Sequence, residues 1–260
     1  MTLKFCTLTG ADDRTSIDTM LDISEKYPFV EWGILFYPGR FGTQRNPSPA
    51  WVSKFLDAVE RQGSHVNTAM HICGEQNLGF LNGDGVILDI AHRFGRIQLN
   101  YAFNKIDNDG LIRSGINRVN PQKVITQYFP PNEHLWDKVL LGVANHQVLF
   151  DTSRGKGILP ESYHAPLYTV ICGYAGGLGI HNLETELPKI ARAAMSHDYW
   201  IDMESSLRTL NQEWSEFKLD GCERVLRFVK DWKAENEIGL LLQPYPEGDL
   251  SNLFVSIPND

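Results

Sequence analysis

Apolar positions along this chain follow two spacings. Short runs rich in Val, Ile, Leu and aromatic residues have the length of single strands, and the stretches between them place apolar residues every three or four positions, the helical period. The strand candidates are "LKFC" (3–6), "EWGILFY" (31–37), "HVNTAMHI" (65–72), "RIQLNY" (96–101), "KVITQY" (123–128), "HQVLFD" (146–151), "YTVICGYA" (168–175) and "YWIDM" (199–203). Among the helices, "SPAWVSKFLDAVERQ" is the clearest, with Ser48 as N-cap, Pro49 at the first helical position, and Val52, Phe55, Leu56 and Val59 on one face. A helix near 16–26 rests on Ile17, Met20 and Leu21. "TELPKIARAAM" puts Pro188 where first-turn amides need no partner, with Leu187, Ile190 and Ala194 on one side, and "CERVLRFVKDW" aligns Cys222, Val225, Leu226, Val229 and Trp232. The stretch "NKIDNDGLIRSGINRVNP" after the fourth strand is polar and only partly helical.

Strands alternating with helices imply parallel βα units. Eight such units in about 235 residues match a closed (β/α)8 TIM barrel, typically about 250 residues long. An open doubly wound sheet would call for a GxGxxG turn after the first strand, and "CTLTGADD" offers none. The expected organisation is one barrel over residues 1–236 and a C-terminal extension, 237–260, that covers the barrel base or an interface, which leaves a homodimer open.

Composition narrows the function classes. Of the 260 residues, 42% are hydrophobic, enough for one large core, and the formal charge of −8 with no basic run argues against nucleic acid as a partner. Four cysteines, Cys6, Cys73, Cys172 and Cys222, lie far apart with neither a paired zinc spacing nor a disulfide framework. The N-terminus lacks a signal-peptide core and no apolar run has the length of a membrane span, so a cytoplasmic protein with reduced thiols and no membrane partner is expected.

Barrel enzymes keep their chemistry at the C-terminal ends of strands and in the loops that follow. Cys6 closes the first strand run and Asp151 the sixth, which makes them candidates for a base and an acid on opposite walls of one mouth. Taken alone, a buried cysteine is more often packing than chemistry, and Asp151 in "DTSRGKG" suits a turn equally well. After the seventh strand, Gly176 and Gly177 in "GYAGGLGIHN" would let backbone amides approach an anion just before a helix; after the eighth, Ser205 and Ser206 in "DMESSLRT" add donors. His71 and Glu75 after the third strand could meet a ligand, or join Asp151 around a metal, although no compact metal-ligand spacing appears. Arg154 and Lys156 are candidates for holding an anionic substrate.

Read together, "LKFCTLT", "WGILFYPGRFGTQRNPSP", "IQLN", "VLFDTSRGKG", "GGLGIHN" and "IDMESS" resemble, in order and strand assignment over roughly residues 3–235, the phosphoribosylanthranilate isomerase family of (β/α)8 enzymes. The resemblance implies an Amadori rearrangement. An acid at the position of Asp151 protonates the ribose ring oxygen, the ring opens to a Schiff base, and a base at the position of Cys6 removes the C2′ proton to give an aminoketose. It implies neither metal nor organic cofactor, and a phosphate held at Gly176, Gly177, Ser205 and Ser206. It also implies an arginine after the second strand, Arg40 or Arg45, for the anthranilate carboxylate.

Departures from the family pattern bear on the substrate. Thr7 follows Cys6 where the family has glycine, Asn100-Tyr101 replace histidine-glycine on the fourth strand, and Glu204 enters the phosphate segment. Asn100 offers different hydrogen-bonding groups and Tyr101 a ring for stacking. The first reading is therefore an isomerase of a phosphoribosyl-amine-type metabolite with an aglycone other than anthranilate. The alternative is a barrel that binds a phosphorylated nucleotide or sugar metabolite without turning it over, as a sensor or sequestering protein. An aldolase or lyase on a phospho-sugar ranks third, for want of a strand-end lysine.

Overall fold

The computed structural model describes residues 2–63, 65–151, 153, 156–166, 170–195, 197–209 and 213–242. Eight parallel strands close into a barrel in chain order: β1 (Leu3–Thr9), β2 (Val30–Phe36), β3 (Asn67–Cys73), β4 (Arg96–Asn100), β5 (Lys123–Tyr128), β6 (His146–Phe150), β7 (Cys172–Tyr174) and β8 (Tyr199–Met203). β1 pairs with β2 through Cys6–Val30 and with β8 through Thr7–Asp202, which completes the ring. Outside the sheet lie α1 (Ile17–Lys26), α2 (Pro49–Gln62), α3 (Gln76–Asn82), α4 (Gly85–Ala91), α5 (Asp109–Arg118), α6 (Leu183–Ala194) and α7 (Leu219–Leu242). None of the helices among the described residues is long and apolar enough to cross a membrane.

Local chemistry sets the helix starts. Ser48 accepts a hydrogen bond from the Trp51 amide at 3.2 Å ahead of Pro49, and Ser16 does the same for Thr19 at 3.3 Å, so each supplies an acceptor for an otherwise unpaired first-turn donor. The apolar face expected of α2 is buried, as is that of α7 from Cys222 to Trp232. Both pack into the main core between the barrel and its helices.

Inside the barrel, side chains follow the two-residue period of the strands. Phe5, Ile125, Leu149, Ala175 and Trp200 form an inner apolar cluster. Beneath the mouth, Arg96 grips Glu31 through two bonds of 2.6 Å, Thr7 donates to the same carboxylate at 2.8 Å, and Arg96 also donates to Gln147 at 2.9 Å. The guanidinium lies 4.5 Å from the centre of the Phe5 ring and 4.4 Å from that of Trp200. A buried ion pair costs desolvation that only full pairing offsets, and this one is fully paired.

Several expectations need correction. β1 does not stop at Cys6 but runs on through Thr9. Its alternate residues Phe5, Thr7 and Thr9 turn inward, so Cys6 turns outward into the helix-facing core, where it is completely buried. α6 begins at Leu183, which puts Pro188 inside the helix and not in its first turn. Not every unit carries an α-helix. β5 leads to β6 through a 3-10 turn at Pro130–Asn132 and a π-helix at Leu135–Val139. The described part of the β6–β7 connection is held by aromatic packing, with His164 stacked on Phe150 at 5.1 Å and the Tyr174 hydroxyl donating to the His164 carbonyl. α7 crosses residue 236 without a break, and residues 243–260 of the expected extension lie outside the described residues.

Candidate active site

A cavity of about 540 Å3 opens at the C-terminal end of the barrel. Three carboxyl residues line it, Asp151, Asp202 and Glu204, and no lysine or arginine does among the described residues. Asp151 and Asp202 directly follow the hydrogen-bonded row Phe150–Tyr174–Ile201, with the small Ala175 between them. Two strand spacings therefore separate their Cα atoms, roughly 10 Å. The Ser153 hydroxyl donates to Asp151 at 2.7 Å, and Thr9 donates to Asp202 at 3.3 Å. Burial, with Glu204, Glu31 and Asp151 nearby, pushes the Asp202 pKa well above the usual carboxyl range, against the opposing pull of Arg96. Asp202 is thus a buried carboxyl biased toward its acid form, with a second carboxyl, Asp151, two strands away.

Next to this pair the loops after β7 and β8 meet. The Ser206 hydroxyl donates to the Leu178 carbonyl at 2.7 Å, and Asn182 donates to the Gly177 carbonyl while accepting from the Gly179 amide, both at 2.9 Å. Gly176 and Gly177 have φ of +98° and +67°, and a Cβ on either would sit 2.8 Å from the backbone of Ile158 or Leu159. Only glycine fits there, because the β6 loop crosses directly over the turn. The amides of Gly176, Gly177, Leu178, Ser205 and Ser206 find no acceptor among the described residues. The turn thus presents a small set of free donors at the cavity edge, the arrangement that suits an anion.

The opposite wall is made by β3, β4 and β5. His71, on β3, is 2% exposed, and burial together with the Arg96 charge lowers its pKa to about 3, so the ring is neutral at physiological pH. Its Nδ1 faces the Gln98 side-chain nitrogen at 3.4 Å, and that nitrogen also donates to Asn100 at 3.0 Å. With Nδ1 accepting, Nε2 carries the proton. His71 Nε2 and Gln98 Oε1 have no hydrogen-bond partner among the described residues. Tyr101 and Gln127 continue this wall.

Of the residues expected in the site, Asp151, His71, Asn100, Gly176, Gly177, Ser205 and Ser206 line the cavity together. Cys6 does not. Burial first, then the nearby Cys222 and Asp202, raises its thiol pKa well above the ordinary value, the reverse of what a base requires. Arg40 is exposed, with its guanidinium 5.6 Å from the Tyr37 ring centre, and Arg45 pairs with Glu204 at 2.8 Å, so neither lines the cavity. The Arg45 pair balances the acidic group that entered the β8 segment. Arg154 lies outside the described residues; Lys156 and Glu75 are exposed and outside the lining. No group of three or more His, Cys, Asp or Glu poised for a metal occurs among the described residues. Asp202, Gln98 and Thr9 are site residues that strand-end reasoning passes over.

The closed parallel barrel with its polar groups gathered at the C-terminal mouth is a (β/α)8 TIM barrel. Among solved structures it is similar to TrpF from Jonesia denitrificans, at 12% identity and a TM-score of 0.56, over 87% of this chain and 96% of that one. A GH113 β-1,4-mannanase (11% identity, 89% and 99% coverage, TM-score 0.47) and a Rubisco-like protein from Rhodopseudomonas palustris (12%, 89% and 65%, 0.45) are more distant. At such identities the likeness is one of fold. No family model and no curated protein matches the chain.

Proposed function

We propose that the chain is an acid–base isomerase of a phosphorylated aldose derivative of the phosphoribosyl-amine type, with Asp151 and Asp202 as its proton-transfer groups. The observation that carries the reading is the pair of carboxyl groups flanking Ala175 in one cavity, one of them with its pKa raised by burial and neighbouring carboxylates. A carboxyl whose pKa is raised is a ready proton donor, and a second carboxyl across Ala175 is placed to take a proton. Asp202 gives its proton to the ring oxygen, and the ring opens to a Schiff base. The Asp151 carboxylate takes the C2 proton, and the resulting enaminol tautomerises to the aminoketose. Asp151 then acts as base, not as the acid that the family resemblance implies, because Asp202 is the group built to hold a proton. The phosphate is assigned to the free amides of Gly176, Gly177, Ser205 and Ser206.

Support for an aglycone other than anthranilate comes from the lining. An aromatic carboxylate calls for a fixed cation, best an arginine fork. Arg45 is committed to Glu204 and Arg40 stands in solvent. The test is proton NMR in D2O on ribose 5-phosphate condensed with a set of aryl and alkyl amines. Enzyme-dependent loss of the C2 proton signal, followed by the aminoketose, is the expected result. Absence of exchange with every amine tested would overturn the isomerase. The second reading, binding without turnover, is favoured by the withdrawal of Cys6 from the mouth; saturable phosphate-dependent binding with no exchange would support it.

A further inference from the structure

We propose that Ser153 is a positioning residue, the group that holds the Asp151 carboxylate in place to take the C2 proton. This rests on the reading of Asp151 as the proton acceptor. The two aspartates of the cavity are held differently. Ser153 Oγ donates to Asp151 Oδ1 at 2.7 Å, the usual length of a hydroxyl bond, whereas Thr9 Oγ1 reaches Asp202 Oδ1 only at 3.3 Å, beyond that range.

A serine hydroxyl has one proton to give, and Ser153 gives it to Asp151. A carboxylate free to turn about its last bond spreads its acceptor directions; a bond at one oxygen fixes the plane of the group and so the line along which it meets a carbon-bound proton. Both partners are buried and both line the cavity, so little water competes for the bond. The loop after β6 also fixes where the donor stands. The Lys156 amide donates to the Ser153 carbonyl at 3.2 Å, and the chain then crosses over the β7 turn. A Cβ on Gly176 would lie 2.8 Å from the Ile158 carbonyl, 3.6 Å from Asp151 Oδ1 and 3.7 Å from Ser153 Oγ. The bonded pair therefore sits directly beside the turn to which the phosphate is assigned. One stretch of chain carries the donor to the base and presses on the anchor, which sets the distance between anchor and base, and fixed separation of that kind is a source of rate.

Two measurements on the intact protein test this. The first is carbon NMR of protein labelled at its aspartate carboxyl carbons, with the Asp151 signal assigned by its loss in Asp151→Asn. That signal is expected to move in Ser153→Ala and to return to the wild-type position in Ser153→Thr, which keeps the hydroxyl. The second is C2 proton exchange in D2O on the condensates of ribose 5-phosphate with the same aryl and alkyl amines. Ser153→Ala is expected to lower kcat by about tenfold or more, the scale of a hydrogen bond to a charged group, with KM within about twofold, and Ser153→Thr to keep about half of the wild-type rate or more. A serine that only shaped the loop would give neither that split nor that rescue. An Asp151 signal unmoved by Ser153→Ala overturns the positioning bond, whatever the enzyme turns over. A signal that moves while exchange stays at the wild-type rate overturns the role of the bond in the reaction and leaves the isomerase standing. Absence of exchange in the wild type counts against the isomerase first, and the positioning role falls with it.

Discussion

The floor and the mouth of this barrel both hold charged and polar groups inside the strand ring, and they treat them in opposite ways. On the floor, each oxygen of Glu31 is met by Arg96, a third donor comes from Thr7, and the rings of Phe5 and Trp200 lie against the guanidinium. At the mouth, among the described residues, Asp202 receives a single side-chain bond, 3.3 Å from Thr9, and His71 and Gln98 each keep one atom unpaired. Saturated polar groups in a barrel interior serve the fold. Unpaired buried atoms occur elsewhere as well, Trp200 Nε1 on the floor among them; those of His71 and Gln98 differ in belonging to residues that line the cavity.

That contrast can be broken at the floor with the largest effect on stability. Arg96→Met strips Glu31 of its partner and leaves a buried carboxylate, so a loss of about 3–5 kcal/mol is expected in urea unfolding. A loss below about 1 kcal/mol would mean that the floor tolerates the open charge as the mouth does. Acid comes next. His71 and His146 both have pKa values lowered to about 3 by burial, below the unfolded value. Their neutral forms therefore contribute stability that is complete above about pH 6.5 and is lost as pH falls toward 3, at about 1 kcal/mol per pH unit for each ring. His71→Leu should remove about half of that slope between pH 6 and 4; an unchanged slope would show that the ring titrates normally. Cys6→Ala should cost about 1–2 kcal/mol, the scale of a small core truncation, read from the same unfolding curves. Arg45→Ala should have the smallest effect, since the pair with Glu204 is more than a third exposed on the arginine side: about 0–1 kcal/mol, with a drop in anion affinity as Glu204 is left uncompensated.

The fold was legible because a parallel barrel repeats one signal eight times. β5 and β8 match their expected spans, and the others differ mainly at their ends. The expected first strand, 3–6, is shorter than β1 for a physical reason. Thr7 and Thr9 look like the polar start of a loop, yet in a barrel with a polar interior a strand continues through threonines that bond to Glu31 and Asp202. The three further residues, 7–9, put Cys6 in the middle of the strand, and the two-residue period turns it toward the helices. The same period would have found the missing site residues. "RIQLN" places Arg96, Gln98 and Asn100 on one face, and "YWIDM" places Trp200 and Asp202 together. Neither the pairing of Arg45 with Glu204 nor the crossing of the β6 loop over Gly176 and Gly177 is local in sequence, so spacing alone could not give them.

The central claim is that the proton-transfer pair is Asp151 and Asp202 and does not include Cys6. It is tested most directly by measuring C2 proton exchange in D2O side by side for the wild type, Cys6→Ala, Asp151→Asn and Asp202→Asn, on whichever phosphorylated glycosylamine the wild type turns over. The expected result is exchange within about twofold of wild type in Cys6→Ala and a fall of about a hundredfold or more in each aspartate variant, the scale of a lost general acid or base. A fold control accompanies it. Asp202 has a raised pKa in the folded state, so it favours folding at pH below its unfolded value and loses that contribution as pH rises; Asp202→Asn should therefore gain stability relative to wild type from pH 4 to pH 7. Exchange abolished by Cys6→Ala in a folded protein, or retained in Asp202→Asn, would contradict the assignment.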